Sequence, residues 1–420
     1  MKKKRLLKIT CMCLSALLVL LLAVAAILSA KDSQAQPPET TVPTDTSTAP
    51  SAAPNTEPAT VPTTVPTTVP TTAPATEPTT TPATEPTTEP TTEPAVEATV
   101  QTEPQSQRFV LTFVGDCTFG NLVGEDTNSG FIGTVGEDYD YPFADVVEHF
   151  RGDDCTFVNL EGVLTKQDTL EERLFAFKGP PEYTEILVRG SVEFANVANN
   201  HRMDYGWGGY ADTMDALSAE GIHYADSEHY TVFSTASGLR IGVFASRSGL
   251  MWQQISDAVT AMREQGAELI IASMHWGDEY WYEPNSDQTG WARLAIDAGV
   301  DIVYGHHPHV LQPVEEYNGG IIYYSLGNFS YGGNYDPADK DTAILQQEVL
   351  RDPDGTVRLG QLTVIPCYVS GINPGNDFQP TPMDPDSEDY ARVLNKLDGT
   401  HPEQYVDASY REDLSPPAEE

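Results

Sequence analysis

Five of the nine histidines in this 420-residue chain lie in three short polar motifs, and these motifs are the part of the sequence best suited to chemistry. The first motif is Ala198-Asn199-Asn200-His201, the second is His275-Trp276-Gly277-Asp278-Glu279-Tyr280, and the third is Gly305-His306-His307-Pro308-His309. Imidazole is the metal ligand that proteins supply most often. The clustering therefore predicts a metal-dependent active site.

Two carboxylates upstream occupy comparable positions. Asp116 follows the apolar segment 110–114 and Gly115, and Glu161 follows Phe157-Val158-Asn159-Leu160. A carboxylate at the point where a strand gives way to a loop is directed out of the edge of a sheet. Carboxylate, amide and imidazole donors together suit Zn, Mn or Fe better than Ca or Mg. Because none of these candidates is a cysteine, a closed structural zinc site is not expected.

Apolar segments before the histidine motifs are expected to be the buried strands that position them. These segments are residues 194–197, 269–274 and 300–304. Strands of open α/β sheets end at a common edge, where binding sites form. The rest of the domain is predicted to alternate helices and strands. Helices are expected at 182–189, 208–220, 253–265 and 287–298, and strands at 240–245, 268–274, 301–304 and 320–324. An antiparallel pair of strands at 343–350 and 357–366 is expected to follow, joined by the turn 352–355.

Six motifs in a fixed order give the chain a resemblance to a known family. The order resembles that of the CapA-type capsule-synthesis proteins, the poly-γ-glutamate capsule family, which are similar to calcineurin-like metallophosphatases. The resemblance covers about residues 107–370 and implies an α/β fold, a metallophosphatase-like β-sandwich of two mixed sheets flanked by helices. The motifs are Gly115-Asp116, Asn159-Leu160-Glu161, Ala198-Asn199-Asn200-His201, His275-Trp276-Gly277, His307-Pro308-His309 and Tyr324-Ser325-Leu326-Gly327-Asn328-Phe329.

The resemblance also assigns roles to individual residues. It implies that one or two divalent transition ions, Zn, Mn or Fe, are bound, and that His201 donates a proton to the leaving group. In the phosphatases the first motif reads Asp-x-His, whereas Cys117 and Thr118 follow Asp116 here, which leaves one metal position with fewer ligands. The implied metal ligands are Asp116, Glu161, Asn200, His275, His307 and His309.

Four further polar residues are candidates for supporting the site or contacting substrate. Asp204 and Glu279 are expected to orient the imidazoles, although Asp204 could equally cap the helix predicted nearby. Lys178 is a basic group able to offset the charge of an anionic substrate. His306 stands at a position that accepts other residues in the resembling pattern, so it is not assigned to the metal.

The N-terminus predicts export to the cell surface. Residues 1–8 form a basic cytoplasmic tail, and residues 9–30 carry no charge and are long enough to span a bilayer. A single-pass signal-anchor in the cell membrane, with the domain outside the cell, is therefore expected. Cleavage after Ala30, which would release a secreted chain, is the alternative.

Composition divides the remainder of the chain. Residues 31–106 are rich in Thr, Pro and Glu, cannot bury a core, and are expected to form a disordered stalk of extended chain. Seventy such residues at ~3.1 Å each would reach ~200 Å. The fold is expected to occupy residues 107–370. Residues 371–420 are acidic and proline-rich and are interpreted as a C-terminal extension with a short helix near 390–397.

Charge and cysteine content limit the possible partners. The formal net charge of -39 would repel nucleic acid, which is excluded as a partner. The exported part has three cysteines, an odd number, so a disulfide framework is not expected. The expected partners are the membrane and an anionic cell-surface polymer or the subunits of a capsule synthase.

Two functional hypotheses remain open from the sequence. The first is a metal-dependent hydrolase, of the phosphoesterase type, that acts on a capsule or cell-wall polymer. The second is a non-catalytic accessory subunit of a capsule polymer synthase or exporter. The filled ligand positions favour the first hypothesis, whereas a family named for capsule synthesis does not by itself establish any chemistry.

Overall fold

The computed structural model of the protein describes residues 105–168, 175–247 and 249–406. The predicted membrane anchor at residues 9–30 and nearly all of the predicted stalk lie outside the described residues. In the part of the chain that is described, no helix is long and apolar enough to cross a membrane.

Strands and helices alternate along the described chain. The strands are β1 Gln107–Thr118, β2 Asn121–Leu122, β3 Cys155–Leu160, β4 Val163–Leu164, β5 Phe177–Gly179, β6 Phe194–Asn196, β7 His223–Ala225, β8 Thr231–Ser234, β9 Arg240–Ser246, β10 Leu269–His275, β11 Ile302–His306, β12 Val314–Tyr317, β13 Gly320–Tyr323, β14 Asn328–Tyr331, β15 Asp341–Arg351, β16 Val357–Tyr368 and β17 Thr381–Pro382. The α-helices are α1 Gly130–Val135, α2 Val147–Phe150, α3 Thr184–Arg189, α4 Gly206–Ala219, α5 Trp252–Glu264, α6 Ser286–Asp297 and α7 Glu388–Leu397.

The strands form two mixed sheets and one small sheet. The larger sheet has the order β17-β16-β15-β1-β3-β6-β7, with β14 also paired to β1. The second sheet has the order β12-β13-β11-β10-β9-β8, and β2, β5 and β4 form the small sheet. In the larger sheet β1 is parallel to β3 and antiparallel to β15, and in the second sheet β9, β10, β11 and β13 run parallel. The predicted α/β fold with mixed sheets is confirmed.

Alternation of side chains along the strands places the main core between the two sheets. Phe109, Leu111 and Phe113 on β1 share one buried cluster with Ile241 and Val243 on β9. The two sheets also contact each other directly, because the hydroxyl of Tyr304 on β11 donates to the carbonyl of Phe157 on β3 at 3.1 Å. Burial of both inner faces explains why these strands are so apolar.

The outer face of each sheet is covered by helices. On the larger sheet, Val158 and Leu160 pack with Leu187 of α3 and Leu217 of α4. On the second sheet, Ile270 and Val303 pack with Met262 of α5 and Ile296 of α6. The result is a sandwich of two sheets flanked by helices, as expected. The helices predicted at 182–189, 208–220, 253–265 and 287–298 correspond to α3, α4, α5 and α6.

The fold continues past the boundary predicted at residue 370. β17 pairs with β16 through Pro382 and Cys367, and Val393 and Leu397 of α7 lie in the core between the sheets. The segment after α7 then contacts the loop after β10, because the amide of Tyr282 donates to the carbonyl of Gln404 at 2.9 Å. The acidic, proline-rich composition of this region obscured the few apolar residues that anchor it.

Candidate active site

Strands from both sheets bring polar residues to one edge of the sandwich. In the larger sheet, Asp116 near the end of β1 is in register with Asn159 on β3 and with Asn328 on β14. In the second sheet, His275 at the end of β10 is in register with His306 at the end of β11. The predicted convergence of the motifs is therefore present. Each side chain is placed by the last residues of a buried strand.

Asp116 is fully buried and held from several directions. Its Oδ1 accepts from Asn159 Nδ2 at 2.9 Å and lies 3.2 Å from His306 Nδ1, and its Oδ2 accepts from the amide of His307 at 3.3 Å. Burial alone would raise the pKa of this carboxyl, but the imidazoles of His306 and His309 outweigh burial and hold the pKa well below its usual range. Asp116 is therefore an oriented anion at the base of the site.

Glu161 lies immediately after β3 and is also fully buried, but its two carboxylate oxygens have no hydrogen-bond partner among the described residues. The nearest imidazole atoms are His275 Nε2 at 3.7 Å and His201 Nε2 at 3.8 Å from Oε1. Burial raises the pKa of Glu161 to about 7, although His309 acts to lower it. A buried carboxylate without partners is costly, so this geometry calls for a cation.

Two of the imidazoles predicted to bind metal present unpaired nitrogens. The Nδ1 atoms of His275 and His307 are buried and have no hydrogen-bond partner in the described part of the chain, and the two rings lie 4.7 Å apart. Burial and the proximity of other imidazoles lower the pKa of His275 well below its usual range and that of His307 to about 4. Neutral imidazole is the form that ligates metal ions.

His309 behaves differently because it faces the carboxylates. Its Nδ1 lies 2.9 Å from Asn328 Oδ1 and 3.4 Å from Asp116 Oδ2. Burial acts to lower the pKa of His309, but Glu161 and Asp116 outweigh burial and raise it to about 10. Without a metal ion, this imidazolium is the positive charge that partly offsets the two carboxylates.

The donor atoms fit a divalent transition ion. Glu161, His307 and His309 each place one ligand atom within 4.8 Å of the others. Asn200 Oδ1 lies 2.7 Å from His275 Nε2, so these two predicted ligands also meet at the site. An unpaired carboxylate with the imidazoles of His307 and His309 close by is a donor set that a positively charged ion would satisfy. The six predicted metal ligands are thus brought to one place.

His201 is held in position by Asp204. Its Nδ1 lies 2.8 Å from Asp204 Oδ2, which also accepts from the amide of Phe177 at 2.8 Å. Helix α4 begins at Gly206 with Tyr205 at its N-cap, so Asp204 orients the imidazole and does not cap the helix. The ring centroid of His201 lies 4.5 Å from that of Phe177. Nε2 is thereby left facing the metal-binding residues.

The other three supporting candidates have different positions. His306 is buried between Asp116 and Ser273, whose hydroxyl lies 3.2 Å from Nε2, so it helps to fix Asp116. Glu279 is exposed and lines the cavity beside His201. Lys178 contacts the carbonyl of Gln167 and the carboxylate of Asp168, and its ammonium lies 4.7 Å from the ring centroid of Tyr205. Lys178 is not among the residues that line this cavity.

A chain of buried carboxamides supports the site and was not assigned from the sequence. Asn159 Oδ1 accepts from Asn196 Nδ2 at 3.0 Å, and Asn199 Nδ2 donates to the carbonyl of Leu160 at 2.7 Å. Asn328 fixes His309 from β14. All four asparagines lie within or next to buried strands, and an uncharged amide in such an apolar setting is a signal that could have identified them.

The histidines of the third motif sit on unusual backbone. His307 and His309 have φ values of 96° and 57°. Positive φ is uncommon for residues with a Cβ and occurs at sites where the surrounding structure enforces it. Here Asp116 accepts from the amide of His307, and Asn328 contacts the ring of His309. The strained turn directs both imidazoles into the same site.

A cavity of about 520 Å³ opens beside these residues and gives the site access to solvent. Asn200, His201 and His309 contribute to its walls, together with aromatic residues. The buried donor set lies at one side of this cavity. A substrate in it would reach the imidazole of His201.

By its structure, the protein is a two-sheet α/β sandwich with a buried cluster of His, Asp, Glu and Asn side chains at one edge. The chain belongs to the bacterial capsule synthesis protein family PGA_cap, whose model matches residues 110–332, more than half of the chain. The resemblance inferred from the six motifs is therefore confirmed.

Several relatives are named for capsule formation. The chain is 28% identical over 315 residues to the PGA biosynthesis protein CapA of Bacillus subtilis, which covers 68% of this chain and 77% of that protein. It is 29% identical over 300 residues to the capsule biosynthesis protein CapA of Bacillus anthracis, which covers 64% of this chain and 70% of that protein. A probable polyglutamine synthesis accessory protein of Mycobacterium tuberculosis is 27% identical over 227 residues, which cover 46% of this chain and 60% of that protein.

Similar solved structures include two enzymes at 12% identity. One is the NAD nucleotidase of Haemophilus influenzae, with a TM-score of 0.35 and coverage of 74% of this chain and 68% of that chain. The other is a purple acid phosphatase from yellow lupin seeds, with a TM-score of 0.29 and coverage of 62% of this chain and 54% of that chain.

Proposed function

We propose that this protein is a metal-dependent hydrolase, of the phosphoesterase type, that acts on a capsule or cell-wall polymer outside the cell. The observation that carries the proposal is the buried Glu161 carboxylate, which has no hydrogen-bond partner within the described chain and faces the Nε2 atoms of His275 and His201. The names of the relatives, which refer to PGA and capsule biosynthesis, support a capsule polymer as the setting.

The donor set would hold one or two divalent transition ions, Zn, Mn or Fe. When bound, such an ion lowers the pKa of water and offsets negative charge on a substrate oxygen. Thr118 stands where the phosphatases have a histidine, so one ion position has fewer donors than the other. The residues that would hold the metal are Asp116, Glu161, Asn200, His275, His307 and His309.

His201 is proposed to donate a proton from Nε2 to the leaving oxygen. Asp204 accepts a hydrogen bond from Nδ1, which fixes the ring and leaves Nε2 as the atom that faces the site. His306 and Asn159 keep Asp116 in place, so they act as positioning residues. Proton donation of this kind contributes roughly 100- to 10,000-fold to the rate.

The test is the dependence of the rate on the leaving group. A donated proton is needed when an alkoxide leaves, as from bis(glycerol) phosphate, and is hardly needed when p-nitrophenolate leaves, as from bis(p-nitrophenyl) phosphate. His201→Ala should therefore lower kcat on the first substrate by roughly 100-fold or more and change the second only slightly. Metal content should stay near the wild-type value.

A matched control is His229→Ala, because His229 is exposed and also has an aspartate, Asp226, three residues away. It should change neither rate. Equal losses by His201→Ala on both substrates would contradict proton donation. Absence of hydrolysis by the metal-loaded wild-type protein on every phosphodiester tried would contradict the hydrolase itself.

A second function is favoured by the name of one relative, a synthesis accessory protein. In that case the site would bind a metal ion or a polymer without turnover. Cells that carry His201→Ala at wild-type abundance distinguish the two functions. A normal capsule or wall would support the accessory function, and a phenotype like that of the deletion strain would support the hydrolase.

A further inference from the structure

Four aromatic side chains contribute to the walls of the cavity beside His201. Phe175, Phe177, Tyr280 and Tyr331 line it. The rings of Phe177 and Tyr331 are inclined at 65° with centroids 6.4 Å apart, and Phe175 is 44% exposed at the mouth. The volume of about 520 Å³ lies within the roughly 300–1,000 Å³ typical of small-ligand sites. Flat apolar faces of this kind pack against the CH groups of a sugar ring or a polyol.

Polar groups lie between these aromatic faces. Asn200, Asn334, His201 and Glu279 line the same cavity. A carboxamide both donates and accepts hydrogen bonds, and a carboxylate accepts them. Hydroxyl groups also donate and accept, so a polyol is a ligand that such a mixture of amide, imidazole and carboxylate can recognise.

The charge of the cavity is unfavourable for repeated carboxylates. Among the described residues that line it, no Lys or Arg is present, His309 is a neutral imidazole once it holds the metal ion, and Glu279 supplies a negative charge. Lys178, the basic group expected to offset an anionic substrate, contacts Asp168.

We propose that the cavity binds an uncharged, hydroxyl-bearing unit, a sugar or an alditol, next to the phosphodiester that the site cleaves. This inference rests on the proposed function and names its substrate class, a phosphodiester-linked polyol or sugar polymer. The phosphates of such a polymer are held at the donor set, and its neutral units are held between the aromatic walls. A polymer with a carboxylate on every unit would place one of its carboxylates near Glu279, which would repel it. A ligand with an ammonium group would place that positive charge beside the divalent ion, which would repel it.

Binding of two polymers to the metal-loaded, full-length protein tests the inference. A glycerol phosphate oligomer and a poly-γ-glutamate oligomer of equal charge are compared by calorimetry in the His201→Ala background, which prevents turnover. The glycerol phosphate oligomer should bind at least tenfold more tightly. Adding Phe175→Ala should weaken its binding about threefold to tenfold. Adding Glu279→Gln should strengthen poly-γ-glutamate binding about threefold to tenfold at low salt.

Two variants serve as matched controls. Trp252→Ala removes an exposed aromatic side chain from the start of α5, and Glu283→Gln neutralises a carboxylate four residues after Glu279; neither residue lines the cavity. Both should leave both affinities unchanged. Equal or tighter binding of poly-γ-glutamate to the parent protein, or no effect of Phe175→Ala on the glycerol phosphate oligomer, would overturn the inference.

Hydrolysis of bis(p-nitrophenyl) phosphate, which carries no polyol, separates this inference from the proposed function. Hydrolysis together with a preference for poly-γ-glutamate would leave the hydrolase standing and overturn the substrate class. A preference for glycerol phosphate without any hydrolysis would keep the binding site and overturn the hydrolase.

Discussion

Asn200 Oδ1 and His275 Nε2 lie 2.7 Å apart, although 75 positions separate the two residues in the chain. The same Nε2 atom lies 3.7 Å from Oε1 of Glu161, and the other ring nitrogen of His275 is Nδ1. That Nδ1 is buried and has no partner among the residues that the structure describes. Two loops from different sheets are thus joined at the point where both motifs are predicted to bind a metal ion.

The first prediction concerns metal content. The purified protein should contain Zn, Mn or Fe in stoichiometric amount, measured by inductively coupled plasma mass spectrometry. His275→Ala combined with His309→Ala should abolish it, because each change removes an imidazole from the donor set. The double variant His149→Ala with His229→Ala, at histidines outside the site, should retain the metal. Full metal content in the first double variant would refute the site as described.

The second prediction concerns Asp204, a positioning residue. Asp204→Asn keeps a side-chain oxygen near His201 Nδ1 but replaces a charge-assisted hydrogen bond with a weaker neutral one. The kcat on bis(glycerol) phosphate should fall about 10- to 100-fold, with little change on bis(p-nitrophenyl) phosphate. Loss of structure would lower both rates and the metal content together, which distinguishes it from loss of orientation. Thermal unfolding of the variant serves as the control.

The site residues that could be predicted from the sequence are carboxylates and imidazoles at the ends of apolar segments. Asp116, Glu161 and His275 follow segments so apolar that a polar residue at their ends is conspicuous in the sequence. The supporting amides Asn159 and Asn328 carry no charge, so an amide within an apolar segment was their only signal, and it does not reveal their partners. Their role depends on partners far away in sequence, to which hydrogen bonds across strands join them.

Contacts in space also explain where the structure differs from the other sequence-based expectations. Lys178 was expected to serve an anionic substrate, but its ammonium contacts the carboxylate of Asp168. The C-terminal boundary was placed too early because α7 reaches the core with few apolar residues, Val393 and Leu397 among them. Charged residues on the same helix find buried partners on β15, as Lys396 does with Asp341. Composition cannot reveal such pairs.

The third prediction concerns the membrane anchor proposed for residues 9–30, which lie outside the described residues. The mature chain should stay with the membrane fraction and begin at its encoded start, as determined by N-terminal sequencing. Protease added to intact cells should release the folded domain by cutting in the Thr/Pro-rich segment, while a cytoplasmic marker protein remains intact. A soluble secreted form that begins at Lys31 would show cleavage of a signal peptide instead.

The fourth prediction concerns Lys396, whose side chain is almost completely buried on α7. Its ammonium lies 2.6 Å from Asp339 Oδ2 and 2.8 Å from Asp341 Oδ2. Lys396→Ala leaves buried carboxylates without this partner and should lower the free energy of unfolding by about 3–5 kcal/mol, measured by urea denaturation. Arg358→Ala breaks an exposed ion pair with Asp352 and should cost at most about 1 kcal/mol. Similar losses in both variants would contradict the structural role of Lys396.

The fifth prediction concerns Asp153, a partly buried carboxyl just before β3. Burial raises its pKa to about 7, against the hydrogen bonds from Thr112 and Thr156, and Glu193 adds to the rise. In the unfolded chain the pKa returns to about 3.9. The folded protein therefore binds more protons between these two values, and this carboxyl reduces stability progressively as pH rises from about 4 through 7.

Asp153→Asn removes this titration and keeps an oxygen that can accept from Thr156. Relative to wild type, the variant should gain roughly 1–3 kcal/mol in the free energy of unfolding at pH 8 compared with its value at pH 5. The comparison is made between proteins at each pH, so titration of the active-site imidazoles, present in both, cancels. Asp257→Asn, at an exposed position on α5, should show the same difference from wild type at both pH values. A pH-independent effect of Asp153→Asn would mean that the carboxyl is already ionised at pH 5 and that the hydrogen bonds from Thr112 and Thr156 outweigh its burial.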